Sequence, residues 1–125
     1  MVAITPRSIT NSFRYAFRGI RHTFRTQQSF RIQVFAAIVV VIIMLLLEVS
    51  ERDAVILIFV TGSVLILELI NTVVEHLTDM VNARLAPVAQ VVKDAMAAAV
   101  VCTTIVAVVI GILILWPYLT RHVVS

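Results

Sequence analysis

In the stretch ELINTVVEHLTDMVN, Glu68, Asn71, Glu75, Asp79 and Asn82 recur at spacings of three and four residues. At about 100° per residue they fall within about 80° of one another, so one helix face would carry three carboxylates and two amides. Carboxylates arrayed in this way repel one another unless cations meet them. Mg²⁺ suits such a face: it takes oxygen ligands and needs only one or two carboxylates when phosphate oxygens complete its shell. Glu68 and Glu75 are separated by about 10 Å along a helix. The competing structural reading is that polar faces glue helices together and that a buried Glu can be neutral and hydrogen-bonded.

Beyond Asp79, the stretch VVKDAMAAAVV sets Lys93 and Asp94 side by side at the entrance of an alanine-rich helix. A lysine there can hold a phosphate as a point charge, and small side chains let another helix approach closely. Basic residues also favour one membrane face, and Asp94 complements a helix N-terminus, so the pair has a reading without function. The glycines are Gly19, Gly62 and Gly111, none of them clustered. That excludes a Gly-rich phosphate loop, and with it a Walker or protein-kinase fold.

The elements that must position these residues are apolar. The 125-residue chain is 61% hydrophobic and 14% charged, where soluble domains are about 45–50% apolar. The apolar residues gather in runs at 32–47, 54–74 and 95–115. The second and third reach roughly 31 Å as helices, enough for the ~30 Å hydrocarbon core. The first is short, and is expected to borrow Phe30 and Arg31, with the arginine snorkelling toward headgroups. The pattern predicts an all-α membrane protein of one domain, 1–125. Its transmembrane helices are expected at 31–50, at 54–81 with a water-side extension, and at 91–119. The first span lacks a small-residue cleavage pattern and is expected to be retained. The lone Cys102 lies within an apolar run, which gives no disulfide framework and favours a packing role. Glu68 lies inside the second run, where an ionised side chain costs at least ~2.5 kcal/mol and is usually kept for function or a partner.

Upstream, SFRYAFRGIRHTFR carries two stripes. Ile9, Phe13, Phe17, Ile20 and Phe24 share one helix face, and Arg14, Arg18, Arg21 and Arg25 run about 100° round from it. A surface helix over 8–30, with its rings among acyl chains and its arginines on anionic headgroups, is the expectation. The Phe stripe and the adjacent spans argue against nucleic acid. Six basic residues precede the first span: Arg7, Arg14, Arg18, Arg21, Arg25 and Arg31. With Arg84 and Lys93 between spans two and three, the basic count is eight against two (Arg52 and Arg121), which puts the N-terminus in the cytoplasm.

Taken together, Glu68-Leu-Ile-Asn71-Thr-Val-Val-Glu75-His-Leu-Thr-Asp79, then Lys93-Asp94 and a small-residue helix, resemble the signature of the prokaryotic diacylglycerol kinase and undecaprenol kinase family. Arg18-Gly19 after an aromatic-rich start and Phe30-Arg31-Ile32 before the first span match as well, so that the resemblance covers about residues 12 to 119. It implies a homotrimeric kinase of the prokaryotic inner membrane that moves the γ-phosphate of MgATP to the hydroxyl of a membrane lipid. It implies that Glu68 is the catalytic base, with Asn71 beside it near the lipid hydroxyl. Glu75 would serve the metal and nucleotide, Lys93, Asp94 and Tyr15 the ATP, and Asp79 is an acidic position of the same face. Where the family pattern has a metal-binding glutamate, this chain has Gln27, whose carbonyl can ligate Mg²⁺ but brings no charge. Ser8 stands where some members place an arginine, for which Arg7 could substitute. Diacylglycerol and undecaprenol remain equal candidates for the acceptor.

Two other classes fit parts of the pattern. A proton-coupled transporter would keep a membrane glutamate but would want polar residues on both sides, and here they cluster in one half. A non-catalytic scaffold would explain the surface helix and the alanine-rich packing, but not Lys93-Asp94 together with Glu75 and Asp79.

Overall fold

The computed structural model describes residues 5–81 and 83–124, with side chains through Arg121. Asn82, which the sequence pattern places on the polar face, lies outside the described residues. Four helices follow in order: α1 Pro6–Thr26, α2 Gln28–Leu46, α3 Glu51–Asp79 and α4 Ala86–Val124. Among the described residues there is no strand. The last three are long and apolar enough to cross a membrane.

Helix α1 starts on a capping box. The Ser8 N–H donates to Thr5 Oγ1 at 3.3 Å, and Ser8 Oγ accepts from the Thr5 N–H at 3.2 Å. Pro6 then occupies the first turn, where its missing N–H costs nothing. Ser8 is thus committed to the cap. The sequence expectation of one surface helix over 8–30 is changed at Gln27, which is extended (φ −106°, ψ 113°) and breaks the chain between α1 and α2. No glycine or proline marks the break. Both helices close across the single residue: the Gln27 N–H donates to the Thr23 carbonyl at 2.8 Å, and the Gln27 carbonyl accepts from the Arg31 N–H at 3.3 Å. Arg31 Nη1 then reaches back to the carbonyls of Phe24 (3.1 Å) and Arg25 (3.0 Å), placing a cation on the orphan C-terminal carbonyls of α1.

The first span accordingly starts at Gln28, earlier than expected, and its 19 residues give about 28 Å of helix. It ends in a Schellman turn. Glu48 takes the left-handed conformation at φ 48°, a place usually given to glycine. The Val49 N–H returns to the Met44 carbonyl and the Glu48 N–H to the Leu45 carbonyl. Ser50 then caps α3, its Oγ accepting from the Asp53 N–H at 3.3 Å, with Glu51 and Asp53 in the first turn. Tyr118 locks this end. Its hydroxyl donates to Asp53 Oδ2 at 2.6 Å and accepts from the Ser50 N–H at 3.2 Å, tying α4 to the start of α3. Pro117, one residue earlier, lies inside α4 and removes a backbone donor there.

A single chain has almost no core. Among the described residues, only Phe30, Met44, Leu57 and Val64 are buried apolar side chains, whereas Phe35, Leu45, Phe59, Leu113 and Trp116 are exposed. Cys102 is exposed too, so a packing role for it lies outside the single chain. Apolar surface on this scale must be met by lipid or by other chains.

Candidate active site

α1 has three stripes rather than the two legible in its sequence. Ala16, Gly19, Ile20 and Thr23 face Leu69, Val73, Leu77 and Met80 of α3 across a cavity of about 520 Å³. Thr23 is buried, and its hydroxyl donates to the Gly19 carbonyl. Phe13 and Phe17 point away from this contact and are exposed. His22 at the same contact meets His76 edge to face, with ring centroids 5.9 Å apart. The helix is thereby laid against the C-terminal half of α3, with the Gln27 joint beside the polar face.

Glu68 is the most buried of the residues expected to act, at 2% exposure. Ser29 Oγ donates to its Oε1, and Gln33 Nε2 lies 3.5 Å from its Oε2. Ser29 and Gln33 are one helical turn apart, on the face of α2 turned toward α3. The backbone carbonyl of Glu68 accepts from buried Thr72 Oγ1 at 3.0 Å. Gln33 Oε1 is buried without a hydrogen-bond partner among the described residues. Gln33 also stands at one end of a largely apolar cleft of about 350 Å³ between α2, α3 and α4, lined by Ala36, Ala37, Thr61, Thr104 and Gly111.

Two turns further along α3, Glu75 is held by two amides. Gln27 Nε2 donates to Oε2 at 3.3 Å, and Asn71 Nδ2 donates to Oε1 at 3.4 Å. One amide comes from the α1–α2 joint and the other from α3 itself. Asp79 turns to the other neighbour: Lys93 Nζ lies 2.8 Å from Asp79 Oδ1, bridging α3 to the first turns of α4. Both partners of that pair are solvent-accessible, so it is screened and orients Lys93 more than it stabilises the fold.

The structure therefore brings together Asn71, Glu75 and Gln27, sets Glu68 apart from them with Ser29 and Gln33, and places Lys93 with Asp79. It does not bring in Tyr15 or Asp94. Tyr15 is exposed and lies under the Arg18 guanidinium, 5.8 Å from the ring centroid. Asp94 accepts from Gln90 Nε2 of its own helix at 2.8 Å. Sequence reasoning missed Ser29 and Gln33. Gln33 was visible as the single polar residue of the first apolar run, and Ser29 lies one turn before it on the same face.

Four helices, three of them long and apolar enough to cross a membrane, with a buried carboxylate held by neutral donors, define the chain as a small helical membrane protein. Residues 14–115 match the family described as prokaryotic diacylglycerol kinase. The chain is 38% identical over 108 residues to the undecaprenol kinase of Bacillus subtilis, covering 86% of this chain and 88% of that one. It is 37% identical over 107 residues to a diacylglycerol kinase of Synechocystis, covering 85% of this chain and 61% of that one. With the Escherichia coli K12 diacylglycerol kinase it shares 29% identity over 104 residues, 83% of this chain and 85% of that one. The chain belongs to the prokaryotic diacylglycerol kinase family, and it is a lipid kinase.

Kinase chemistry raises the question of a metal. Among the described residues no three His, Cys, Asp or Glu side chains gather as a cluster. What is present is one carboxylate, Glu75, flanked by the amides of Gln27 and Asn71. With both amides turning N–H groups to Glu75, that carboxylate is the ligand offered, which fits an oxygen-seeking ion carried largely by phosphate oxygens and not one caged by protein alone.

Proposed function

We propose that this lipid kinase transfers the γ-phosphoryl group of ATP to the hydroxyl of a membrane lipid alcohol, with Glu68 as base. The observation that carries the reading is Glu68 itself: a carboxylate buried in the membrane half of α3, beside the orphaned acceptor Gln33 Oε1. An alcohol fits that pair. Its O–H can approach the carboxylate while its apolar tail follows the cleft that begins at Gln33. The alcohol oxygen bonds to the γ-phosphorus as the bond from that phosphorus to the β,γ-bridging oxygen breaks. The proton passes to Glu68, and ADP leaves.

Asn71, one turn from Glu68 and bonded to Glu75, stands between the hydroxyl end and the far end of the face, where Glu75 and Lys93 hold the triphosphate about 10 Å from Glu68. Asp94 and Tyr15 serve ATP from outside this cluster, and Asp79 keeps Lys93 in place. Mg²⁺ held by Glu75, with the Gln27 amide oxygen, would neutralise triphosphate charge. Catalysis is then mainly positioning and charge neutralisation.

In this reading the exposed apolar surface is covered by lipid and by two further copies in a homotrimer. The Phe stripe of α1 rests on the headgroup boundary of a prokaryotic inner membrane. The basic count puts the N-terminus and the site on the cytoplasmic side. The relatives' names leave both diacylglycerol and undecaprenol as acceptors to test.

The test is Mg²⁺-dependent transfer of label from γ-labelled ATP into the organic phase by purified protein in micelles, with a panel of lipid alcohols containing both. Labelled lipid from at least one alcohol is the expected result. None from any of them would overturn the reading and favour a scaffold.

A further inference from the structure

We propose that Ser29 is a positioning residue for phosphoryl transfer, holding the Glu68 carboxylate, together with Gln33, in its reactive orientation. The inference rests on the reading of Glu68 as the base. Each oxygen of that carboxylate is met by one donor from α2: Oε1 by Ser29 Oγ and Oε2 by Gln33 Nε2. A carboxylate oxygen can accept more than one bond, so each keeps a lone pair. Two donors one turn apart on a rigid helix define the plane of the carboxylate, which a single donor would leave free to rotate.

The chemistry of the donors matters as much as their place. Among the described residues the only ion pair is Lys93–Asp79, so no cation meets Glu68. A lysine or arginine there would compete with the incoming proton. A hydroxyl and an amide instead align the carboxylate without neutralising it. Ser29 lies in the first turn of α2, where the helix dipole favours a nearby negative charge.

Of the two donors Ser29 has the greater leverage. It lies two residues from Gln27, which holds Glu75. The α1–α2 joint and the first turn of α2 together therefore touch both carboxylates and fix how the proton-accepting end is set relative to the nucleotide end. Ser29 is also the most accessible member of the group, Gln33 being half-buried and Glu68 buried. Its hydroxyl lies against the base in the way a substrate hydroxyl must, and this makes it the residue to test.

The experiment compares wild type, Ser29→Ala, Ser29→Thr, Glu68→Gln and the Ser29→Ala/Glu68→Gln double variant in micelles. It measures kcat, the KM of ATP and of lipid, oligomer size and thermal midpoint. Ser29→Ala should lower kcat on the order of 10- to 100-fold while both KM values and the midpoint stay near wild type. Ser29→Thr, which keeps the hydroxyl, should recover most of the rate. The double variant should be no slower than Glu68→Gln alone, because the serine acts only through the glutamate. Full activity in Ser29→Ala, no recovery with threonine, or a loss carried by KM or by the midpoint would each overturn the proposal. So would acid-stable label on Ser29 itself after incubation with γ-labelled ATP, because Ser29 would then be an acceptor. Wild type inactive toward every lipid overturns the proposed function and the inference with it, whereas an active wild type with an indifferent Ser29 overturns the inference alone.

Discussion

Gln27 Nε2 donates to Glu75 Oε2 at 3.3 Å, so the one extended residue between α1 and α2 is tied to the water end of the polar face on α3. Gln27→Glu would set two carboxylates in that contact. Without a divalent ion they repel, and with one they share it. The expected outcome is a drop in the free Mg²⁺ needed for half-maximal activity, by roughly fivefold, equivalent to ~1 kcal/mol of added attraction. A thermal midpoint below wild type in chelator, restored by Mg²⁺, should accompany it. Titrating Mg²⁺ at fixed ATP checks this. An unchanged or higher requirement removes Gln27 from the metal site and leaves Glu75 as its only carboxylate ligand.

Glu68→Gln keeps the shape of the side chain and leaves a carbonyl oxygen to accept from Ser29, so the buried contact with α2 survives. The base is lost. Turnover should fall at least tenfold, a barrier increase of about 1.4 kcal/mol or more, with nucleotide binding and oligomer size unchanged. Single-turnover transfer and equilibrium binding of ATP, measured on the same preparation, separate the two effects. A variant that keeps more than about a tenth of the wild-type rate would falsify the base assignment.

Lys93 lies 2.8 Å from Asp79 on the water side of the site. Lys93→Met removes a charge that can hold phosphate but touches none of the apolar residues along the cleft. The KM of ATP should rise on the order of tenfold while that of the lipid changes little. Raising the salt concentration should weaken ATP binding in wild type more than in the variant. If the lipid KM rises instead, the pair with Asp79 is a structural brace between α3 and α4.

The three long helices were legible because apolar runs of membrane length have few other solutions, and Glu68 stood out because a carboxylate inside such a run demands a reason. The partners of Glu68 were not legible. A lone Gln33 in an apolar run and a Ser29 at its start acquire meaning only when α2 is laid on α3, a pairing that neither helix's periodicity specifies. The break at Gln27 was hidden for a similar reason. No glycine or proline marks it, and it depends on Arg31 folding back onto the carbonyls of Phe24 and Arg25. Equally, the third stripe of α1, Ala16, Gly19 and Thr23, was overshadowed by phenylalanines and arginines with stronger signals. The sequence makes Asp79 part of one continuous polar face, and in the structure it pairs with Lys93 of α4.

Tyr118 offers a test at the opposite end of the helices, far from any residue assigned to catalysis. Its hydroxyl donates to Asp53 Oδ2 at 2.6 Å and accepts from the Ser50 N–H at 3.2 Å, joining the last turns of α4 to the cap of α3. Tyr118→Phe deletes one hydroxyl and keeps the ring, so apolar packing beside Pro117 is retained. Asp53 loses a charge-assisted bond and the Ser50 N–H loses its acceptor, but Ser50 Oγ still caps α3 through the Asp53 N–H. Because this end is open to solvent, water replaces part of what is lost, and the expected cost is about 1 kcal/mol. A lower thermal midpoint in micelles, with both KM values and the rate per folded enzyme unchanged, is the predicted result. Adding Asp53→Asn to Tyr118→Phe should cost little more, since the two residues act as one contact. A change in the KM of the lipid would show instead that this lock governs the cleft between α2, α3 and α4, whose far end is lined by Trp116 and Leu119.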